Sequence, residues 1–157
     1  LISKMGEKIS ISRNDYIHFE KSYNFYYIHN SLKNNIGKLG VIVSLQSNKL
    51  NDTISDFGKK LAMHIAASNP LVLDEKNINP DILDKEKEMI TEELKNSGKS
   101  KDIIEKISIG KIEKFKQENT LLNQNWVMDP KKKVKEILED FNVGIIIKAF
   151  VRYKIGK

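Results

Sequence analysis

The stretch Ile145-Ile146-Ile147-Lys148-Ala149-Phe150-Val151-Arg152-Tyr153-Lys154-Ile155 alternates along its length. Ile145, Ile147, Ala149, Val151, Tyr153 and Ile155 fall on one face. Lys148, Arg152 and Lys154 fall on the other, with Ile146 and Phe150 among them. A two-residue period built from β-branched and aromatic residues predicts a half-buried strand. Its nearest strand-like companions lie far away, at the other end of the chain. Residues 8–12 alternate Ile9 and Ile11 against Ser10 and Ser12, and Ile17 and Phe19 resume that period after Arg13-Asn14-Asp15. This predicts strand, turn, strand. Phe25 to His29 (FYYIH) predicts a strand, Asn34-Asn35 and Gly37 a turn, and Lys38 to Leu45 (KLGVIVSL) a buried strand.

Helical periodicity occupies the middle. Ile54, Phe57, Leu61, Ala62, Ile65 and Ala66 follow a 3.6-residue period, so a helix starts at a cap on Asp52 or Thr53 and stops at Pro70. A second helix runs from Pro80 or Asp81 to Asn96 and a third from Ser100 to Thr120. Both are heavily charged with a narrow apolar stripe. Joined by Asn96-Ser97-Gly98-Lys99, they predict an antiparallel coiled-coil hairpin that buries little. A last helix is read over Pro130 to Phe141, stopped by Asn142 and Gly144. Strands cluster at the start and recur only at the end. The fold class is therefore α+β: a small antiparallel sheet packed with helices, with an inserted antiparallel helical hairpin. Residues 1–79 and 123–157 form the core subdomain, and 80–122 the insertion.

The 157 residues suffice for one domain with a buried core, and 39% hydrophobic content supports folding despite 31% charged residues. Without cysteine there is no disulfide, thiolate nucleophile or sulfur-ligated zinc, which suits a reducing compartment. No apolar run is long enough for a membrane span. The start, LISKMGEKIS, lacks a signal-peptide pattern, and its opening Leu leads us to expect a fragment of a longer protein. A net charge of +6 admits nucleic acid as a partner, but the two signs interleave and Lys131-Lys132-Lys133 is the one dense basic run. Nucleic acid is therefore an unlikely main partner.

Candidate chemistry is sparse. His18, His29 and His64 lack metal-ligand spacing, so no metal is expected. The glycines form neither GxxxxGK[ST] nor GxGxxG, and no GxSxG elbow occurs. The carboxylates fall on exposed helix faces. No catalytic residue and no cofactor is assigned. His64, at the edge of the apolar stripe in Lys60-Lys-Leu-Ala-Met-His-Ile-Ala-Ala-Ser68, reads as a partly buried histidine whose ring packs and whose nitrogens find backbone or water. His29 ends an aromatic strand and enters a polar loop, which suits either partner contact or an ordinary surface histidine. Trp126, in Gln124-Asn125-Trp126-Val127-Met128-Asp129-Pro130, is either a core plug or an exposed anchor.

Several ordered blocks together resemble the C-terminal part of translation elongation factor Ts. They are Met5-Gly6-Glu7-Lys8-Ile9-Ser10-Ile11-Ser12-Arg13, Tyr27-Ile28-His29-Asn30, Gly37-Lys38-Leu39-Gly40-Val41, Leu61-Ala62-Met63-His64-Ile65-Ala66-Ala67-Ser68-Asn69-Pro70, Ile104-Glu105-Lys106-Ile107-Ser108-Ile109-Gly110-Lys111, Gln124-Asn125-Trp126-Val127 and Phe150-Val151-Arg152-Tyr153-Lys154-Ile155-Gly156. The resemblance implies an exchange factor that binds elongation factor Tu and promotes GDP release without covalent chemistry, in a bacterial cytoplasm or an organelle matrix. It implies partner contacts at His29, Asn30, Trp126, Val127 and Met128, and a homodimer contact through the helical hairpin. It leaves His64 as a residue that shapes its helix. Asn125-Trp126 stands where the family has Pro-Phe, and Ser100 where it commonly has proline after Gly-Lys. The resemblance leads us to expect that the family's N-terminal ubiquitin-associated-like module, its Thr-Asp-Phe segment and its C-terminal tail are not among these 157 residues, and hence docking with little nucleotide release. The alternative reading is a basic RNA-binding module using Lys131 to Lys133 and the aromatics of Phe25 to His29.

Overall fold

The computed structural model describes residues 4, 6, 10–95, 98, 100–141 and 144–156. The strand start read at Lys8 and Ile9, the turn residues Asn96, Ser97 and Lys99, and the helix stop at Asn142 lie outside the described residues.

The first hairpin forms as the aromatic and β-branched runs demand. Strand β1 spans Ser22–Lys33 and β2 spans Ile36–Gln46, antiparallel, with Phe25 opposite Val43 and Tyr27 opposite Val41. Asn35 takes φ 61 in the turn, a left-handed conformation that asparagine tolerates. Gly37 is required by space, since a Cβ there would lie 2.3 Å from Ile28 Cγ2. The C-terminal strand (Ile146–Lys154, the fifth in chain order) joins the other edge of β2, giving the order β1, β2, C-terminal strand. The fold is α+β, as the distant strand signals required.

Helix α1 spans Asp52–Ser68 and covers one face of this sheet. Its cap is Asn51 rather than Asp52 or Thr53: the Asn51 side chain accepts the Ile54 N–H at 2.8 Å. Asn69 closes the helix in the left-handed region, donating to the Ile65 carbonyl at 3.1 Å. Phe57, Leu61, Ala62 and Ile65 meet Phe25, Val41, Val43 and Leu45 in one buried cluster. Gly58 lets the Phe25 ring approach, because a Cβ there would sit 2.3 Å from it.

The C-terminal strand departs from its own alternation. Leu45 pairs with Ile147 and Ser44 with Ala149, leaving Lys148 as the extra residue of a β-bulge. Before the bulge, Ile145 and Ile147 face the core, as expected. After it, Phe150 packs on the core and the Arg152 guanidinium donates to the Ala66 carbonyl through Nε at 3.3 Å and Nη2 at 3.2 Å. Val151 and Tyr153 turn to the opposite face, where they line an apolar cleft of about 440 Å³ with Ile17, Tyr26 and Ile42. One inserted residue flips every later side chain because the strand period is two.

The segment 10–19 is not a strand. Its hydrogen bonds run between side chains and backbone carbonyls instead of along a ladder: the Asn24 side chain donates to the Ile17 carbonyl at 2.9 Å, and the Arg13 side chain to the Lys154 carbonyl at 3.5 Å. The Arg13 guanidinium also lies 4.5 Å over the Tyr153 ring. Ile11 stays 84% exposed, while Ile17 and Phe19 are half-buried, so the alternation is satisfied only at its second half.

Helices α2 (Pro80–Lys95) and α3 (Lys101–Asn119) pack against each other. They bury Ile90, Leu94 and Ile112, with Ile104 and Ile107 partly covered, in a cluster separate from the main core. At their base, Val72 forms a parallel bridge with Thr120, and Leu121 donates to the Val72 carbonyl at 2.9 Å. The 3₁₀ turn Leu121–Asn123 then inserts a fully buried Leu121 into the main core.

The last expected helix is shorter than its periodicity suggests. Helix α4 covers Val134–Glu139 only. Asp129–Lys133 instead forms strand β4, paired antiparallel with β3 at Asn125–Trp126. Pro130 biases its predecessor toward extended backbone. The Val134 N–H donates back to the Gln124 carbonyl at 3.0 Å, and the Lys133 N–H to the Glu136 carboxylate at 2.7 Å. Helix starts after those bonds, not before. The C-terminal strand Ile146–Lys154 is thus β5.

Candidate functional site

The β3–β4 hairpin is built around Val127 and Met128. Trp126 pairs with Asp129, so these two residues are the whole turn. Two-residue turns favour asparagine and glycine. Here an aliphatic and a thioether side chain occupy the tip and remain 45% and 43% exposed. A local choice that contradicts turn chemistry, and exposes apolar surface, is the kind of departure that clusters at functional positions.

The tip rests on a buried polar and aromatic bracket. Trp126 is buried, so of its two sequence readings the plug is the one realised. Its indole lies against Phe57, with centroids 5.7 Å apart, and stacks on His64 at 5.1 Å with 26° between planes. His64 is fully buried. Its Nε2 bonds to Gln124 Oε1 at 3.0 Å, and its Nδ1 accepts the Val127 N–H at 3.3 Å. Burial pushes the His64 pKa below its ordinary value, against a smaller opposing effect from the Gln124 bond. The ring is neutral near pH 7. Packing was legible in the sequence for His64; its two partners were not, because they sit sixty residues away.

Gln124 is the residue that sequence reasoning passed over. Its amide donates to the Ser68 carbonyl at 3.2 Å and to the Glu118 carbonyl at 2.6 Å. It thereby ties the ends of α1 and α3 to the tip. A glutamine next to an apolar turn has no periodic signature, so nothing in its spacing announces a buried role.

His29 and Asn30 are exposed at the far end of β1. The His29 Nδ1 lies 3.1 Å from the Tyr27 hydroxyl. Asn30 takes φ 50, just before a register shift between Ser31 and Lys33. Among the described residues, no hydrogen bond or ring contact joins His29 or Asn30 to Val127 or Met128. The two pairs are thus positioned by different elements, β1 for one and the β3–β4 turn for the other. Of the basic run, Lys132 is engaged by Asp140 at 2.6 Å. Among the described residues, no group of three or more His, Asp or Glu gathers to hold a metal ion, and no helix is long and apolar enough to cross a membrane.

The arrangement defines a class: an α+β scaffold with a helical hairpin and an exposed apolar β-turn. The family model for elongation factor Ts matches residues 1–157. Similar proteins include elongation factor Ts from Gluconobacter oxydans, 34% identical over all of this chain and 51% of that protein. Those from Sphingopyxis alaskensis and Bartonella henselae are each 36% identical over 99% of this chain and 52% of theirs. The chain belongs to the elongation factor Ts family, a family of translation elongation factors. It spans about half the length of the relatives it matches.

Proposed function

We propose that this chain supplies the docking part of a guanine-nucleotide exchange factor for elongation factor Tu, and makes or breaks no covalent bond. One observation carries the reading: an exposed Val127-Met128 pair occupies a two-residue turn whose backbone is bonded to a buried histidine. A turn held this firmly presents apolar side chains at little ordering cost, which favours binding. His29 and Asn30 contribute a second, polar contact. Trp126 acts from beneath, holding the tip in place.

Exchange follows from reciprocity. If the factor binds Tu more tightly when nucleotide is loosened, nucleotide affinity falls in the complex by the same factor. We assign residues 1–79 and 123–157 to the docking core, and 80–122 to an arm that offers a second copy a helical surface. Titration calorimetry with Tu tests the assignment. His29→Ala combined with Val127→Ala should weaken binding at least tenfold while leaving the thermal midpoint nearly unchanged, since both side chains are exposed. Unchanged affinity in the double variant would remove these contacts from the interface.

A further inference from the structure

The β3–β4 ladder is too short to fix its own turn. It contains two residue pairs, with a register shift between Asn125 and Trp126, and isolated two-stranded hairpins are marginal even when longer. What fixes the tip must come from below. The candidate is the bond from the Val127 N–H to His64 Nδ1.

That bond depends on which ring nitrogen carries the proton, and the surrounding network decides it. The Gln124 amide nitrogen faces two carbonyls, of Ser68 and Glu118, and neither can donate. The Gln124 Oε1 is therefore the atom turned toward His64. It can only accept, so His64 Nε2 must carry the hydrogen. Nδ1 is then left with its lone pair free for the Val127 N–H. In the other tautomer, or in the imidazolium, two N–H groups would face each other at the tip.

We propose that His64 is a positioning residue for the tip. Locked by Gln124 in the Nε2–H tautomer, it sets the backbone of Val127 and so the pose in which Val127 and Met128 meet the partner. Its consequence for binding rests on the docking reading above; its effect on the tip does not. The chain Ser68 and Glu118 carbonyls, Gln124, His64, Val127 also gives the tip a defined register relative to the ends of α1 and α3.

Two variants and one direct measurement test this. Asparagine places an oxygen near the position of Nδ1, whereas glutamine reaches the position of Nε2. His64→Asn and His64→Gln both lose the stacking on Trp126 and should share a similar loss of stability. They differ at the tip. His64→Asn should bind Tu at least about fivefold more tightly than His64→Gln, the effect of one neutral hydrogen bond. In the unaltered chain, nitrogen NMR should show the Nε2–H tautomer and a ¹⁵N–¹⁵N coupling across the bond from Val127 to His64 Nδ1. An Nδ1–H tautomer, a missing coupling, or equal affinities of the two folded variants would overturn the proposal. If both variants fail to fold, the coupling decides. If the unaltered chain ignores Tu, the docking reading falls, and the coupling still decides whether His64 sets the tip.

Discussion

The molecule carries two hairpins, and they are held by opposite means. The β3–β4 hairpin is tiny, yet it is anchored by Trp126 and Phe57 in the main cluster and by the buried His64 beside them. The α2–α3 hairpin is many times longer, yet its cluster consists of Ile90, Leu94 and Ile112 with two partly covered isoleucines. Length and depth of packing are thus unrelated here. A short element is fixed when the rest of the fold is packed under it; the long one is tied to the fold at its base and along its length rests on the narrow stripe shared by its two helices. Elements packed on few buried contacts open locally at lower free energy than elements seated on the core.

This contrast can be broken most forcefully at Trp126. Trp126→Ala removes a buried indole and should cost about 3–5 kcal/mol. The whole chain should unfold earlier in urea, as followed by far-UV circular dichroism. Next comes Ile90→Ala, expected to cost about 2–4 kcal/mol within the arm. Amide hydrogen exchange should rise in α2 and α3 while α1 and the sheet stay protected. Uniform loss of protection would mean that the two hairpins belong to one cooperative unit, and the contrast would fail.

A pH titration sharpens the comparison on the tip side. The His64 pKa is lowered in the folded state by burial. Below about 6.5 the unfolded chain takes up a proton that the folded chain refuses. Stability from this group is therefore complete above that value and declines as pH falls toward the folded pKa. The slope cannot exceed about 1.4 kcal/mol per pH unit. Urea melts at pH 7.5 and 5.5 check it, and His64→Asn should flatten that part of the profile. The smallest effect belongs to the arm's surface pair, Lys111 with Glu93 at 2.5 Å. Lys111→Met should change stability by at most about 1 kcal/mol, and raised salt should erase the difference.

Much of this architecture was readable in advance, and the exceptions share a cause. The helix over 52–68, the arm helices and the β1–β2 hairpin follow from periodicities that local burial satisfies. The errors arose where a local period met a nonlocal constraint. At Lys148 the ladder with β2 absorbs an extra residue, which no alternation within β5 reveals. At Pro130 to Lys133 a helical stripe yields to pairing with Asn125, whose partner Lys133 lies across the turn. At 10–19 only Ile17 and Phe19 are partly buried, and no ladder forms. For the site, the sequence pointed to His29, Asn30, Trp126, Val127 and Met128 through resemblance and loop placement. Nothing in it distinguished the buried Trp126 from the exposed pair beside it, because all three lie outside any repeating pattern.

Taken alone, the order of residues determined the elements of this protein, their sequence along the chain and its family, since these depend on spacing and on local apolar patterns. Only the tertiary structure decided which way the last strand faces after its bulge, and which atom of His64 carries a hydrogen. Those depend on pairing across sixty or more residues, where the partner's geometry, not the local pattern, sets the lower free energy.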